Sequence, residues 1–169
     1  MVIERRREEI GSEASLQARR QAEEAMRFGP RILLVEDDAE MRRMLAGLLR
    51  RDGYFVTEAA DADAALEWLG AGILDGEPTR LPALIVSDVR LPSLSGLDLL
   101  AGSRLWPHRI PVVLITGFGD AELHSEARAL GAVCVLDKPF PIASLRAAVR
   151  FALTGPEAGG PGGKDGHVV

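Results

Sequence analysis

At 169 residues with 47% hydrophobic content, the chain is long enough for one domain with a buried core and short extensions. A net charge of −5 excludes a strongly basic face for nucleic acid or an anionic membrane surface, and no apolar run is long enough for a membrane span. Cys134 is the one cysteine and can form no internal disulfide; with no secretory leader in the first residues, the expected compartment is the cytoplasm.

Residues 1–29 are rich in helix formers and carry six Arg and six Glu, so the stretch is locally neutral. Ile3, Ile10, Ala14, Ala18 and Met26 give it only a thin apolar stripe, too weak for a coiled coil. A solvated helix and a helix that pairs with a second subunit both fit this N-terminal helical extension. Gly29-Pro30 ends it.

From Arg31 two kinds of segment alternate. Ile32 to Val35 reads as a buried strand, followed by Glu36-Asp37-Asp38. Ala39 to Arg51 has apolar residues at 41, 44, 45, 48 and 49, which is helical spacing, and Asp52-Gly53 closes it. Tyr54 to Thr57 is a strand. Asp61 caps a helix through Leu69, and Gly70 to Pro82 is expected to be a loop. Ala83 to Val86 is an apolar run that ends in Ser87-Asp88. Pro92 and Gly96 then force a turn, and a helix follows around Leu97 to Leu105. Val112 to Ile115 is a strand ending in Thr116-Gly117, and Asp120 to Leu130 is a helix stopped by Gly131. Val133 to Leu136 is the last strand, ending in Asp137-Lys138-Pro139-Phe140, and Ile142 to Leu153 is the closing helix. Five strands alternating with five helices predict a doubly wound parallel α/β sheet with helices on both faces. The predicted domain is 30–154, and the Gly/Pro-rich tail 155–169 is predicted to be disordered.

In a parallel sheet all the carboxyl ends lie along one edge, where such folds bind ligands. Strand one brings Glu36 and Asp37, strand three Asp88, strand four Thr116 and strand five Lys138. Carboxylates crowded together need positive charge, and oxygen donors without His or Cys suit Mg²⁺. Strand one has no Gly-rich loop to cradle a phosphate. A second Asp two residues after Asp88, which a haloacid-dehalogenase-type phosphatase would want, is replaced by Arg90. Asp38 is better placed to cap the first helix than to hold a metal.

Four segments in order carry a resemblance: Val35-Glu36-Asp37-Asp38, then Asp88-x-x-Leu91-Pro92-x-x-Ser95-Gly96, then Thr116-Gly117, then Lys138-Pro139-Phe140. From about Arg31 to Thr154 the chain resembles the receiver domain of bacterial two-component response regulators, a flavodoxin-like fold. The resemblance implies that Asp88 accepts a phosphoryl group from a histidine kinase or phosphotransfer protein. It implies Mg²⁺ on Asp37, Asp88 and the Arg90 backbone carbonyl, with Glu36 acting through water. Thr116 would bond one phosphoryl oxygen and Lys138 would neutralise another. It further implies a cis Lys138–Pro139 bond, and no catalysis beyond the domain's own phosphorylation and dephosphorylation.

Two features depart from the family pattern. Val135 stands where an aromatic residue commonly reports phosphorylation, and the 70–82 loop looks long. With only a short tail after the last helix, the first expectation is a stand-alone receiver that signals by binding a downstream protein partner or relays phosphoryl groups, with neither nucleic acid nor membrane. A homodimer could form through the N-terminal helix or through the face of the fourth helix, fifth strand and fifth helix. The competing expectation is a receiver-like scaffold that is never phosphorylated in use. The full acidic, Thr and Lys set favours the first; Val135 favours the second.

Overall fold

The computed structural model describes residues 29–74, 81–103, 106 and 109–154. The predicted N-terminal helix over 1–28 and the tail at 155–169 lie outside the described residues, as does the end of the third predicted helix at 104–105.

Five strands, β1 (Arg31–Val35), β2 (Phe55–Ala59), β3 (Leu84–Asp88), β4 (Val112–Thr116) and β5 (Cys134–Asp137), form one sheet in the order β2-β1-β3-β4-β5. Every neighbouring pair is parallel. The helices are α1 (Ala39–Arg51), α2 (Ala62–Leu74), α3 (Gly96–Ser103), α4 (Ala121–Ala129) and α5 (Ile142–Thr154).

Alternation along the strands divides the core in two. Ile32 and Leu34 of β1, Leu84 and Val86 of β3, and Val113 and Ile115 of β4 pack with Leu45 and Leu49 of α1 and Leu145 and Val149 of α5. Leu33, Val35, Ile85, Val112 and Leu114 point the other way, onto Ala65 and Leu69 of α2, Leu99 and Leu100 of α3, and Ala127 of α4. The period-2 side-chain pattern of a strand covered on both faces produces this division. The expected doubly wound sheet is what the chain forms.

Two local expectations change. The second strand starts at Phe55 rather than Tyr54, whose amide donates to the Leu49 carbonyl at 3.1 Å as the chain leaves α1. The helix opened by Asp61, which accepts from the Ala64 amide at 2.7 Å, does not stop at Leu69. It runs on through Leu74, into the stretch expected as a loop. Over residues 62–72 its buried positions are Ala62, Ala65, Leu69 and Gly72, spaced +3, +4, +3, so Gly72 continues the buried stripe. Glycine costs a helix about 1 kcal/mol relative to alanine, a sum that packing on the sheet can override. No described helix is long and apolar enough to cross a membrane.

Candidate metal and phosphoryl site at the carboxyl edge

All five residues of β3 are buried. Leu84, Ile85 and Val86 are fully enclosed, each worth about 2 kcal/mol of burial, and this fixes the strand's register. That register draws Ser87 and Asp88 into the protein with them. Ser87 is satisfied by donating its hydroxyl to the Asp88 carbonyl at 2.9 Å. Asp88 is 6% exposed and looks out along the sheet edge. The chain then turns sharply: the Gly96 amide donates to the Val89 carbonyl at 2.9 Å. A Cβ on Gly96 would stand 2.3 Å from the Asp88 carbonyl oxygen, so only glycine lets α3 begin there.

At the end of β1, Glu36 is 1% exposed while Asp37 is open to solvent. Carboxylate oxygens of Glu36, Asp37 and Asp88 lie within 4.8 Å of one another. Lys138 Nζ donates to Glu36 Oε2 at 2.9 Å and also to Asp88 Oδ2. The Arg90 amide holds the other Asp88 oxygen, Oδ1, at 2.7 Å. Asp37 differs from its neighbours, since its carboxylate accepts no hydrogen bond among the described residues. Asp38 caps α1, accepting from the Met41 amide at 2.7 Å, as expected of it.

Electrostatics follow from this packing. Burial pushes the Glu36 carboxyl above its usual range, opposed by the Lys138 hydrogen bond and reinforced by the charge on Asp88. Burial alone would lower the Lys138 ammonium, but its hydrogen bonds to Asp88 and Glu36 outweigh that and raise it. One ammonium therefore serves two carboxylates, while the third, Asp37, is left without a neutralising partner. A hard divalent cation would complete that balance, and the all-oxygen donor set fits one.

Thr116 ends β4, fully buried, one residue beyond Ile115, the β4 partner of Asp88 in the parallel register. Its Oγ1 accepts from the Phe118 amide at 3.3 Å and makes no hydrogen bond to Asp88 or Lys138. It does not cap the next helix, because Asp120 does, accepting from the Leu123 amide at 2.8 Å. The backbone ties Thr116 to the site instead: the Lys138 amide donates to the Thr116 carbonyl at 2.7 Å. The Lys138–Pro139 bond is cis, as the resemblance implied. Arg90 lays its guanidinium 4.4 Å from the centre of the Phe118 ring, linking the loop after β3 to the loop after β4.

The family model for the response regulator receiver domain matches residues 32–150. The chain belongs to that family. As a receiver, it is 38% identical over 122 residues to the transcriptional regulatory protein FixJ of Bradyrhizobium diazoefficiens, a match covering 72% of this chain and 56% of that protein. It is 36% identical over 126 residues to the transcriptional regulatory protein PdtaR of Mycobacterium tuberculosis, covering 73% and 57% respectively. It thus spans little more than half the length of these curated relatives. Among solved structures, a response regulator from Chloroflexus aurantiacus superposes with a TM-score of 0.65 at 30% identity, covering 74% of this chain and 98% of that one. The chemotaxis response regulator CheY4 of Vibrio cholerae gives 0.61 at 27% identity, covering 73% and 98%.

The structure brings the predicted side chains of Glu36, Asp37, Asp88 and Lys138 to one edge, with Thr116 turned toward its own loop; Arg90, expected there through its backbone carbonyl, meets Asp88 through its backbone amide. Sequence reading passed over Arg42 and the Gly119–His124–Asp137 contact. Neither leaves a signal in periodicity or in a strand-end motif.

Proposed function

We propose that Asp88 is the phosphoacceptor of this receiver, taking its phosphoryl group from a phosphohistidine on a histidine kinase or phosphotransfer protein. The observation that carries the reading is Lys138, whose one ammonium binds both Glu36 and Asp88 while Asp37 stands unpaired beside them. Asp37, Asp88 and the Arg90 carbonyl would hold Mg²⁺, with Glu36 acting through water. The ion would supply charge neutralisation for the transferring phosphoryl oxygens.

The chain's own residues do the rest. A carboxylate oxygen of Asp88 attacks phosphorus, the P–N bond breaks, and its electron pair stays with the imidazole nitrogen, which takes up a proton. The Arg90 amide on Oδ1 fixes the plane of the carboxylate during the attack. Lys138 leaves Oδ2 as that charge is spent and follows the negative charge onto a phosphoryl oxygen. Thr116, whose Oγ1 accepts from the Phe118 amide, donates its own hydroxyl proton to a second phosphoryl oxygen. The domain turns over only its own phosphoryl group.

The donor reaches Asp88 past a groove of about 530 Å³ lined by Asp38, Glu40, Met41, Met44 and Lys138. Sporulation initiation phosphotransferase F of Bacillus subtilis, 28% identical to this chain, has 90% of its length matched. A receiver alone can therefore make up almost the whole of a chain. A receiver of that kind would act through a downstream protein partner that reads its surface.

One observation favours a second reading. Val135, half-buried against the α2–α4 side of the core, offers no ring to rotate. A scaffold that is never phosphorylated would need none. Incubation with acetyl phosphate and Mg²⁺, followed by mass spectrometry, separates the two. The phosphoacceptor reading expects one adduct, on Asp88, absent from Asp88→Asn. A stable adduct elsewhere, undiminished labelling of Asp88→Asn, or no labelling at all would leave the scaffold.

A further inference from the structure

We infer that Arg42 is a positioning residue for the acidic turn: from α1 it clamps the backbone of Glu36 and Asp37 and so sets where their carboxylates meet a divalent cation. This rests on the reading of Glu36, Asp37 and Asp88 as a cation site.

The turn between β1 and α1 is short: the Asp38 amide donates to Glu36 Oε1 at 3.4 Å and the Asp38 side chain caps α1, while the Glu36 and Asp37 carbonyls are held by the Arg42 side chain. Arg42 Nη1 donates to the Glu36 carbonyl at 2.7 Å and to the Asp37 carbonyl at 3.3 Å. On the opposite side of Glu36, its amide donates to the Ala59 carbonyl at 3.1 Å. Glu36 is thus gripped at both its amide and its carbonyl, and Arg42 supplies the second grip.

The guanidinium is itself held. Its Nε lies 3.7 Å from Glu58 Oε2 on β2, and Arg50 Nη2 bonds the other Glu58 oxygen at 2.8 Å. Arg50 Nη2 in turn donates to the Val56 carbonyl at 2.9 Å. The Arg42 and Glu58 side chains are only 18% and 26% exposed, so solvent screens this arrangement less than a surface pair. A rigid planar fork can serve two carbonyls and a carboxylate together; an ammonium cannot do so in the same geometry. Two carbonyls engaged in this way are also kept from swinging toward the cation themselves.

The sign of one measurement separates positioning from charge. Arg42 is a cation near the acidic cluster, and if charge were its whole effect, removing it would tighten Mg²⁺ binding. Positioning predicts the reverse. Calorimetric titration with Mg²⁺ should show Arg42→Gln binding about tenfold more weakly, the low end of what partners of metal ligands are worth. Arg42→Lys, which keeps the charge, should fall short of the parent as well. Glu58→Gln should weaken binding in the same direction, and the double variant Arg42→Gln/Glu58→Gln should lose less than the two losses combined, because both act through one guanidinium. Urea melts in EDTA locate any purely structural role, which would lower stability and leave the Mg²⁺ dissociation constant alone. Equal or tighter Mg²⁺ binding in Arg42→Gln and Arg42→Lys overturns the positioning role while leaving the cation site standing. A parent protein that binds no Mg²⁺ overturns both.

Discussion

Two adjacent aspartates, Asp37 and Asp38, show how one turn assigns opposite duties to the same side chain. Asp38 satisfies the Met41 amide at the start of α1, and losing such a cap costs about 1 kcal/mol. The Asp37 carboxylate accepts no hydrogen bond among the described residues and adds repulsion beside Glu36 and Asp88. Asp37→Ala should therefore be more stable than the parent in EDTA, and Asp38→Ala less stable. With Mg²⁺ at a hundredfold excess over its dissociation constant the parent should gain about 2.7 kcal/mol, whereas Asp37→Ala should gain almost nothing. Urea melts of the three proteins with and without metal read both effects. A variant at Asp37 that responds fully to Mg²⁺ puts the ion elsewhere. A second residue-scale effect concerns Phe118, 70% exposed yet stacked with Arg90, each two residues beyond a strand end of the site. As a lid, that pair should obstruct a water approaching a phosphorylated Asp88. Phe118→Ala is expected to lose its phosphoryl group several-fold faster, about 1 kcal/mol of barrier, and an unchanged half-life would count against the lid.

At the scale of elements, α1 and α5 share one face of the sheet and are pinned by Asp52 and Arg146. Arg146 Nε and Nη2 bond the two Asp52 oxygens at 2.7 and 2.8 Å, at the C-terminal end of α1. Those hydrogen bonds hold the Asp52 carboxyl below its ordinary value of 3.8. A carboxyl with a depressed value in the folded protein stabilises it at pH above the unfolded-chain value and loses that contribution as pH falls through the folded one. Urea midpoints of Arg146→Gln should accordingly lie below those of the parent at about pH 6 and converge on them below the ordinary aspartate range. A gap that persists at the acid end assigns the loss to packing of the arginine stem instead. Elements were legible to different degrees, for physical reasons. The strands were readable because burial on both faces demands continuous apolar runs, and caps such as Asp38 and Asp120 mark helix starts. The end of α2 was not readable, because Gly70 and Gly72 are loop signals locally and only the sheet beneath shows that Gly72 extends a buried stripe. Arg42 was invisible for another reason: what it binds is backbone, and a carbonyl has no letter in the sequence.

For the whole molecule, the question is how the carboxyl edge speaks to the far end of α4 when Val135 provides no aromatic rotor. The residues that converge on the edge were predictable from topology alone, since parallel strands must end together. The connection beyond it was not, because it runs through contacts between segments distant in sequence. The 117–120 loop leaves the site at Thr116, carries Phe118 over Arg90, and presses Gly119 against the end of β5. A Cβ at Gly119 would overlap Asp137 Oδ1 and stand 2.7 Å from His124 Nε2. His124 Nε2 lies 3.1 and 3.0 Å from the two Asp137 oxygens, joining α4 to the residue before Lys138. If Asp88 is phosphorylated as proposed, the Thr116 hydroxyl should move toward a phosphoryl oxygen and, still accepting from the Phe118 amide, draw the loop with it. Gly119 would then change its seat on the Asp137–His124 pair and shift α4. That would be a shift between two loop arrangements, driven by the differential bonding of one hydroxyl. Hydrogen exchange with and without beryllofluoride should show residues 116–124 changing protection while β1 and β3 hold theirs. Replacing Gly119 by alanine should displace the loop in the unliganded protein and shrink the difference between the two states. Equal protection of 116–124 in both states of the parent protein would break the connection at Thr116 and leave the domain a scaffold.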